Sequence, residues 1–230
     1  MAGYRGHLTF AGVVAVTEVA TLSAYTPIKD VNTLGGIFLL TLIGSLLPDI
    51  DSDSGLPFFL SYGTFTLAAM ADITYHTLLL TQDVHQRIYI PIAAFIILWF
   101  VVGKIIKRFT HHRGIFHSIP MLGVLAFATV LEATKLEFHA LQATLLGAAI
   151  GAGFLSHLVL DEIYALFGIN SYLFVPNKAL GTALKLWSDS GIATILCYVL
   201  LFVLFYLTQP TLTLALPLIS PYIAKNPVKS

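Results

Sequence analysis

Apolar residues run along this chain in long blocks with few polar interruptions. The pattern has neither the two-residue alternation of a half-buried strand nor the single apolar stripe of a surface helix. Seven such blocks can be drawn, at about 8–25, 33–47, 60–80, 88–103, 119–133, 140–160 and 192–207. The first is weakened by Glu18 and several threonines, and the second stops at Pro48. The third carries Asp72 and His76, whereas the fourth is clean. Runs of this kind predict helices that cross a bilayer, for which ~20 residues suffice. Several are shorter, which predicts tilted helices or helices continued into the interface. Residues 163–190 are too polar in the middle to span, and residues 209–230 read as an apolar tail interrupted by prolines.

Composition narrows the class. Hydrophobic residues make up 57% of the 230 positions and charged residues 10%, against ~25% charged for a soluble domain. A soluble globular domain and a disordered chain are both excluded. Cys197 is the single cysteine, so an internal disulfide and a cysteine-based zinc finger are excluded as well. Lys+Arg and Asp+Glu balance at 12 each, so no basic field speaks for nucleic acid. The expected fold is all-α: a polytopic membrane bundle of about six or seven helices, forming one domain over 1–230. No cleavable signal is expected, because no small-residue site follows an apolar core near the N-terminus.

Lys and Arg in short loops set orientation. The richest loop follows the fourth block, with Lys104, Lys107, Arg108 and Arg113. With that loop in the cytoplasm, the N-terminus with Arg5, the loop from Pro48 and the loop with Lys178 and Lys185 share its side. The opposite loops hold Lys29, Arg87 and Lys135, each beside an acidic residue. Lys225 and Lys229 in the tail run against this arrangement, but the first span weighs more than a late tail. The N-terminus is expected to be cytoplasmic.

Ionisable groups in or beside a membrane are costly and count as functional candidates. They gather in four places: His7; Asp49, Asp51 and Asp53; His111, His112, Arg113 and His117; and His157 with Asp161. In the expected topology all four lie at the cytoplasmic ends of their helices. His157 and Asp161, four apart, share one helix face. That suits a metal-binding pair, and equally a hydrogen-bonded pair near a helix end. Asp49 and Asp51 follow Pro48, where the chain turns; they would repel unless a cation or proton lies between them, or they form a solvated acidic loop. His112 and His117 flank Gly114 in a basic loop where they can also be incidental. The Arg113 fork suits a phosphate or carboxylate, or serves as a positive-inside anchor. Together these make a nitrogen and oxygen donor set without thiolate, fitting zinc, manganese or iron(II). More than four donors allow two ions, the usual arrangement for phosphate-ester hydrolysis.

Gly6-His7, Leu47-Pro48-Asp49-Ile50-Asp51, His112-Arg113-Gly114-Ile115-Phe116-His117-Ser118 and His157-Leu158-Val159-Leu160-Asp161 resemble, in that order, the YdjM-like family of membrane-bound metal-dependent hydrolases. The resemblance implies a ligand set of His7, Asp49, Asp51, His112, His117, His157 and Asp161 for one or two divalent ions, zinc foremost. Asp53 extends the acidic run. The order of donors also looks like the helical zinc-dependent phospholipase C and nuclease group, as an analogy.

The function these readings imply is a hydrolase of the cytoplasmic membrane face, cleaving a phosphate ester of a lipid or lipid-linked substrate. Asp51 and Arg113 would take part in catalysis, and Arg113, Lys178 and Lys185 would bind the phosphate. The alternative is a metal-ion or proton-coupled transporter, which needs polar groups at the midplane; Glu18, Asp72 and His76 are the deeper ones. A haem protein would want histidines on facing spans without a carboxylate at each cluster. Gly147 and Gly151 read as a close-packing motif, Asp72 and His76 as interhelical hydrogen-bond partners, and His85 and His139 as incidental. Trp99 reads as an interface aromatic and Cys197 as apolar filler.

Overall fold

The structure, a computed structural model, describes residues 3–51, 56–104, 114–167, 181 and 183–225, with side chains at all of these except 51, 56, 57 and 219–225. The described residues are helical apart from their connections. The elements are α1 (Tyr4–Tyr25), α2 (Val31–Gly44), a 3-10 turn (Leu47–Asp51), α3 (Leu56–Leu80), α4 (Val84–Ile96) with a π-helical continuation (Ile97–Val102), α5 (Ile119–Lys135), α6 (Ala140–Phe167) and α7 (Gly191–Lys225). Among the described residues, four stretches are long and apolar enough to cross a membrane: α1, α4 with its continuation, α6, and Gly191–Leu218 of α7. α2 is a shorter apolar helix.

The chain forms two compact units, Met1–Pro48 with Ile115–Ser230, and Asp49–Gly114. In the first, α6 is the central helix and packs against α1, α2, α5 and α7. It can be central because it is rich in small residues on several sides, with Ala143, Gly147, Ala149, Gly151, Gly153 and Ala165 all buried. The tightest approach is to α2. A Cβ on Gly153 would strike the Thr41 carbonyl oxygen, and one on Gly44 would strike that of Ile150. Backbone therefore lies on backbone along this seam, where helix association in lipid gains most from close packing. Gly147 meets Val130 and Ala126 of α5 just as closely, whereas a Cβ on Gly151 would find ordinary contacts at 3.5 and 3.6 Å.

The second unit contains the α3–α4 pair. Its core is aromatic: Trp99 packs on Phe59, Tyr62 and Phe95. The wider turn of the π segment is matched by a hydrogen bond from the Tyr62 hydroxyl to the Leu98 carbonyl. Trp99 is thus a packing residue of this pair. No residue of α4 is buried, as expected of a helix facing lipid.

Helix ends follow local chemistry. Asp30 caps α2 by accepting from the Asn32 and Thr33 amides, and Asp83 caps α4 through the His85 amide. Two helices run further than the hydropathy pattern implies. α6 continues past Leu160 to Phe167, because Asp161 turns into the protein core rather than into lipid. α7 continues through Pro210; membrane helices tolerate an internal proline where other groups serve the freed carbonyls. Asp72 and His76 meet along α3, Nε2 to Oδ1 at 3.2 Å.

Candidate metal centre

Three helices of the first unit deliver the histidines and one aspartate. On α1, His7 lies on the same face as Ala11 and Ala15, the three buried residues of that helix. On α6, His157 and Asp161 are a turn apart and both buried. His117 stands just before α5, in a turn held by Ser118: its hydroxyl donates to the Ile115 carbonyl at 2.5 Å and accepts from the Met121 amide at 3.4 Å. That cap fixes where α5 begins and keeps His117 fully buried.

The four side chains converge. His7 Nε2 lies 3.4 Å from Asp161 Oδ1, and His157 Nε2 lies 3.9 Å from Asp161 Oδ2. The His7 and His157 rings stack with centroids 3.6 Å apart and planes 8° from parallel. His117 meets His157 edge-on, centroids 5.4 Å apart. His7, His157 and Asp161 each offer a donor atom within 4.8 Å of the other two, a grouping able to hold a metal ion.

The tautomer of His157 follows from its neighbour. Its Nδ1 is 2.7 Å from the Ser45 carbonyl oxygen. A carbonyl only accepts, so Nδ1 carries the proton and donates. In the neutral ring Nε2 then holds the lone pair, and that lone pair faces a carboxylate. Nδ1–H on a backbone carbonyl with Nε2 turned to the ion is the usual arrangement of a metal-ligating histidine. Protonating both stacked rings would instead set two like charges face to face in a buried site, which is costly.

The sites expected from sequence sort as follows. His7, His117, His157 and Asp161 come together. Asp49 is half-buried in the 3-10 turn and belongs to the second unit. The side chain of Asp51, and Asp53, His111, His112, Arg113 and Lys178 as whole residues, lie outside the described residues. Lys185 is half-buried, and its carbonyl accepts from the Ile119 amide at 3.0 Å, so its segment runs beside the start of α5. His139 is exposed at the other end of α6, and His85 is exposed at the start of α4.

Two participants escape a reading by residue type. The Ser45 carbonyl is a backbone group and carries no side-chain signature. Glu162, next to Asp161, accepts from the amides of Gly181, Ala183 and Leu184 at 2.9, 2.8 and 3.2 Å. It ties the segment leading to Lys185 onto α6. The visible signal was a second carboxylate beside Asp161 at the end of an apolar block.

A model of the YdjM inner membrane protein family matches residues 1–225. No curated protein and no solved structure is significantly similar to the chain. With helices long and apolar enough to cross a bilayer and a match over nearly its whole length, the chain is an integral inner-membrane protein and belongs to the YdjM inner membrane protein family.

Proposed function

We propose that the buried cluster binds a divalent metal ion, zinc in the first instance, and that the protein is a metal-dependent hydrolase of the cytoplasmic membrane face. Its substrate is a phosphate ester of a lipid or lipid-linked molecule. The observation that carries this reading is the fixed tautomer of His157, whose Nε2 lone pair faces Asp161 beside His7 Nε2. The spacing supports it too. Two donors bound tetrahedrally at ~2 Å stand ~3.3 Å apart, close to the 3.4 Å between His7 and Asp161.

A bound divalent ion supplies Lewis acidity and makes water a nucleophile near neutral pH. The chain's own residues do the rest. Ser45 holds the His157 ring in orientation, and the His7 ring stacked on it keeps bulk water from that face. Asp161 would balance the charge of the ion. By the sequence resemblance, His112, Asp49 and Asp51 would complete the ligand set and would provide for a second ion. As read from the sequence, Arg113 would offer a bidentate fork to the phosphate, where charge builds during attack, with Lys178 and Lys185 as further cations. The apolar helices hold the acyl or prenyl tail, so binding energy from the tail serves the reaction at the headgroup.

The test is metal analysis of the purified protein in detergent, joined to turnover of phosphorylated lipids. The expected result is stoichiometric metal, cleavage of an amphiphilic phosphate ester, and much weaker action on a short-chain soluble analogue. Arg113→Lys should keep the metal and lose most turnover, because charge remains while the fork is gone. A metal-replete protein inert on every phosphate ester would overturn the hydrolase reading in favour of transport.

A further inference from the structure

Glu18 lies in the middle of α1, in a helix long and apolar enough to span the membrane. It is half-buried, and its carboxyl oxygen Oε2 is 2.5 Å from the hydroxyl of Thr41 on α2. Thr41 is itself fully buried, and its hydroxyl is also 3.0 Å from the Ile37 carbonyl one turn back. A threonine hydroxyl has one proton to give. The Ile37 carbonyl can only accept, so a bond to it uses the Thr41 proton and leaves none for Glu18. The contact with Glu18 then needs a proton from the glutamic acid.

Charge balance points the same way. Among the described residues Thr41 is the one polar partner of Glu18. Among the described residues, no cation faces it from α2 or α6, the helices packed on α1. α2 has no ionisable side chain between Val31 and Gly44, and α6 has none before His157, after which come Asp161, Glu162 and Tyr164. On α1 itself, His7 is eleven residues away, ~16 Å along the axis, with Arg5 beyond it; Tyr25 lies at the opposite end. The apolar neighbours Val19, Leu22 and Leu40 pack against the core beside it. An ionised carboxylate with a single hydroxyl donor and no counter-ion is costly in such surroundings.

We propose that Glu18 is a proton-binding site within the membrane, held as the neutral acid and donating a hydrogen bond to Thr41, which donates its own to the Ile37 carbonyl. The chain Glu18–Thr41–Ile37 joins α1 to α2 and is independent of what the histidine cluster does. Being half-buried at a lipid-facing helix, the acid is open to reagents that partition into the apolar phase and closed to those confined to water. A lipid-soluble carbodiimide is the matching probe. The carboxyl oxygen adds to the central diimide carbon, the acid proton ends on a diimide nitrogen, and no group leaves. Migration of the acyl group to nitrogen then gives a stable adduct of the same mass.

The deciding measurement is the infrared difference between the full-length protein and Glu18→Gln at neutral pH, in water and in deuterium oxide. The expected result is a protonated carboxyl band, shifted by deuterium and missing from the variant. A carboxylate doublet assigned to Glu18 would overturn the proposal. Should Glu18→Gln fail to fold, the unaltered protein decides. Dicyclohexylcarbodiimide should label Glu18 at neutral pH, lose that label on alkalinisation, and exceed a water-soluble carbodiimide by tenfold or more. Labelling by the water-soluble reagent alone, or no label at Glu18, would also overturn it.

Discussion

Two histidine–aspartate pairs stand four residues apart on helices of this protein, and they have different fates. Asp72 and His76 on α3 meet at 3.2 Å with side chains 38% and 37% exposed. His157 and Asp161 on α6 stand 3.9 Å apart with side chains 1% and 0% exposed. The helical spacing is identical, so spacing does not make the second pair a candidate site. What differs is burial, together with the groups that close the second pair in. α6 receives His7 from α1, His117 from the start of α5 and a carbonyl from the end of α2. On α3 the two side chains meet as a half-exposed pair, a contact that at such exposure contributes ~0–1 kcal/mol.

The largest test of this contrast is to open the α2–α6 seam. Gly153→Ala places a methyl group against the Thr41 carbonyl, and Gly44→Ala against that of Ile150. Overpacking of this kind costs ~1–3 kcal/mol or more. Each variant should lower the thermal midpoint in detergent and weaken metal binding, since the seam carries Ser45 to His157. Gly151→Ala, whose Cβ would meet only ordinary contacts, should leave both unchanged. Equal behaviour of Gly151→Ala and Gly153→Ala would show that the seam is not what organises the site.

A smaller and more selective effect is expected from the pairs themselves. His157→Ala and Asp161→Ala should each lower metal affinity at least 10–100-fold, the scale known for groups that bind or orient a metal. Asp72→Ala, His76→Ala and the exposed His139→Ala should leave metal content intact. Full metal content in all five variants would remove the distinction between the two pairs.

How much of this could be read from sequence differs by region. The helices around the cluster were legible because long apolar blocks have few alternatives. The convergence of His7, His117, His157 and Asp161 was legible because alternating spans return distant motifs to one face. The length of α6 was not, because Asp161 and Glu162 interrupt the hydropathy pattern although one faces the core and the other binds backbone amides. The continuation of α7 past Pro210 was hidden by the usual helix-breaking character of proline. The seam glycines were harder still. Gly147 and Gly151 have the familiar spacing, but the closest approach to α2 falls on Gly153, and only the partner helix decides that.

The smallest effect concerns the far end of α2. Hydrogen bonds from the Thr33 side chain and amide, with the Asn32 amide and Gln142, hold the Asp30 carboxyl below the ordinary aspartate range. A depressed folded-state value means that this contribution is present above the ordinary range and is lost as pH falls through the folded-state value. Thermal scans should therefore show a slight acid-side loss that Asp30→Asn reduces. Metal binding at neutral pH should be unaffected by that substitution, since the helix end near His157 is the opposite one. An acid-side profile unchanged in Asp30→Asn would mean that the cap adds nothing to α2.

The hydrogen bond from His157 to the carbonyl of residue 45 has a consequence for genetics. Every amino acid carries that oxygen, so no substitution at position 45 can delete it. An alanine scan would pass over Ser45 even if it registered His157, and because Ser45 is fully buried, other small residues could stand there without loss of the orienting contact. The orientation of the ring is inherited through where α2 ends, and a change in the length of that helix would disturb it more than any change of side chain there.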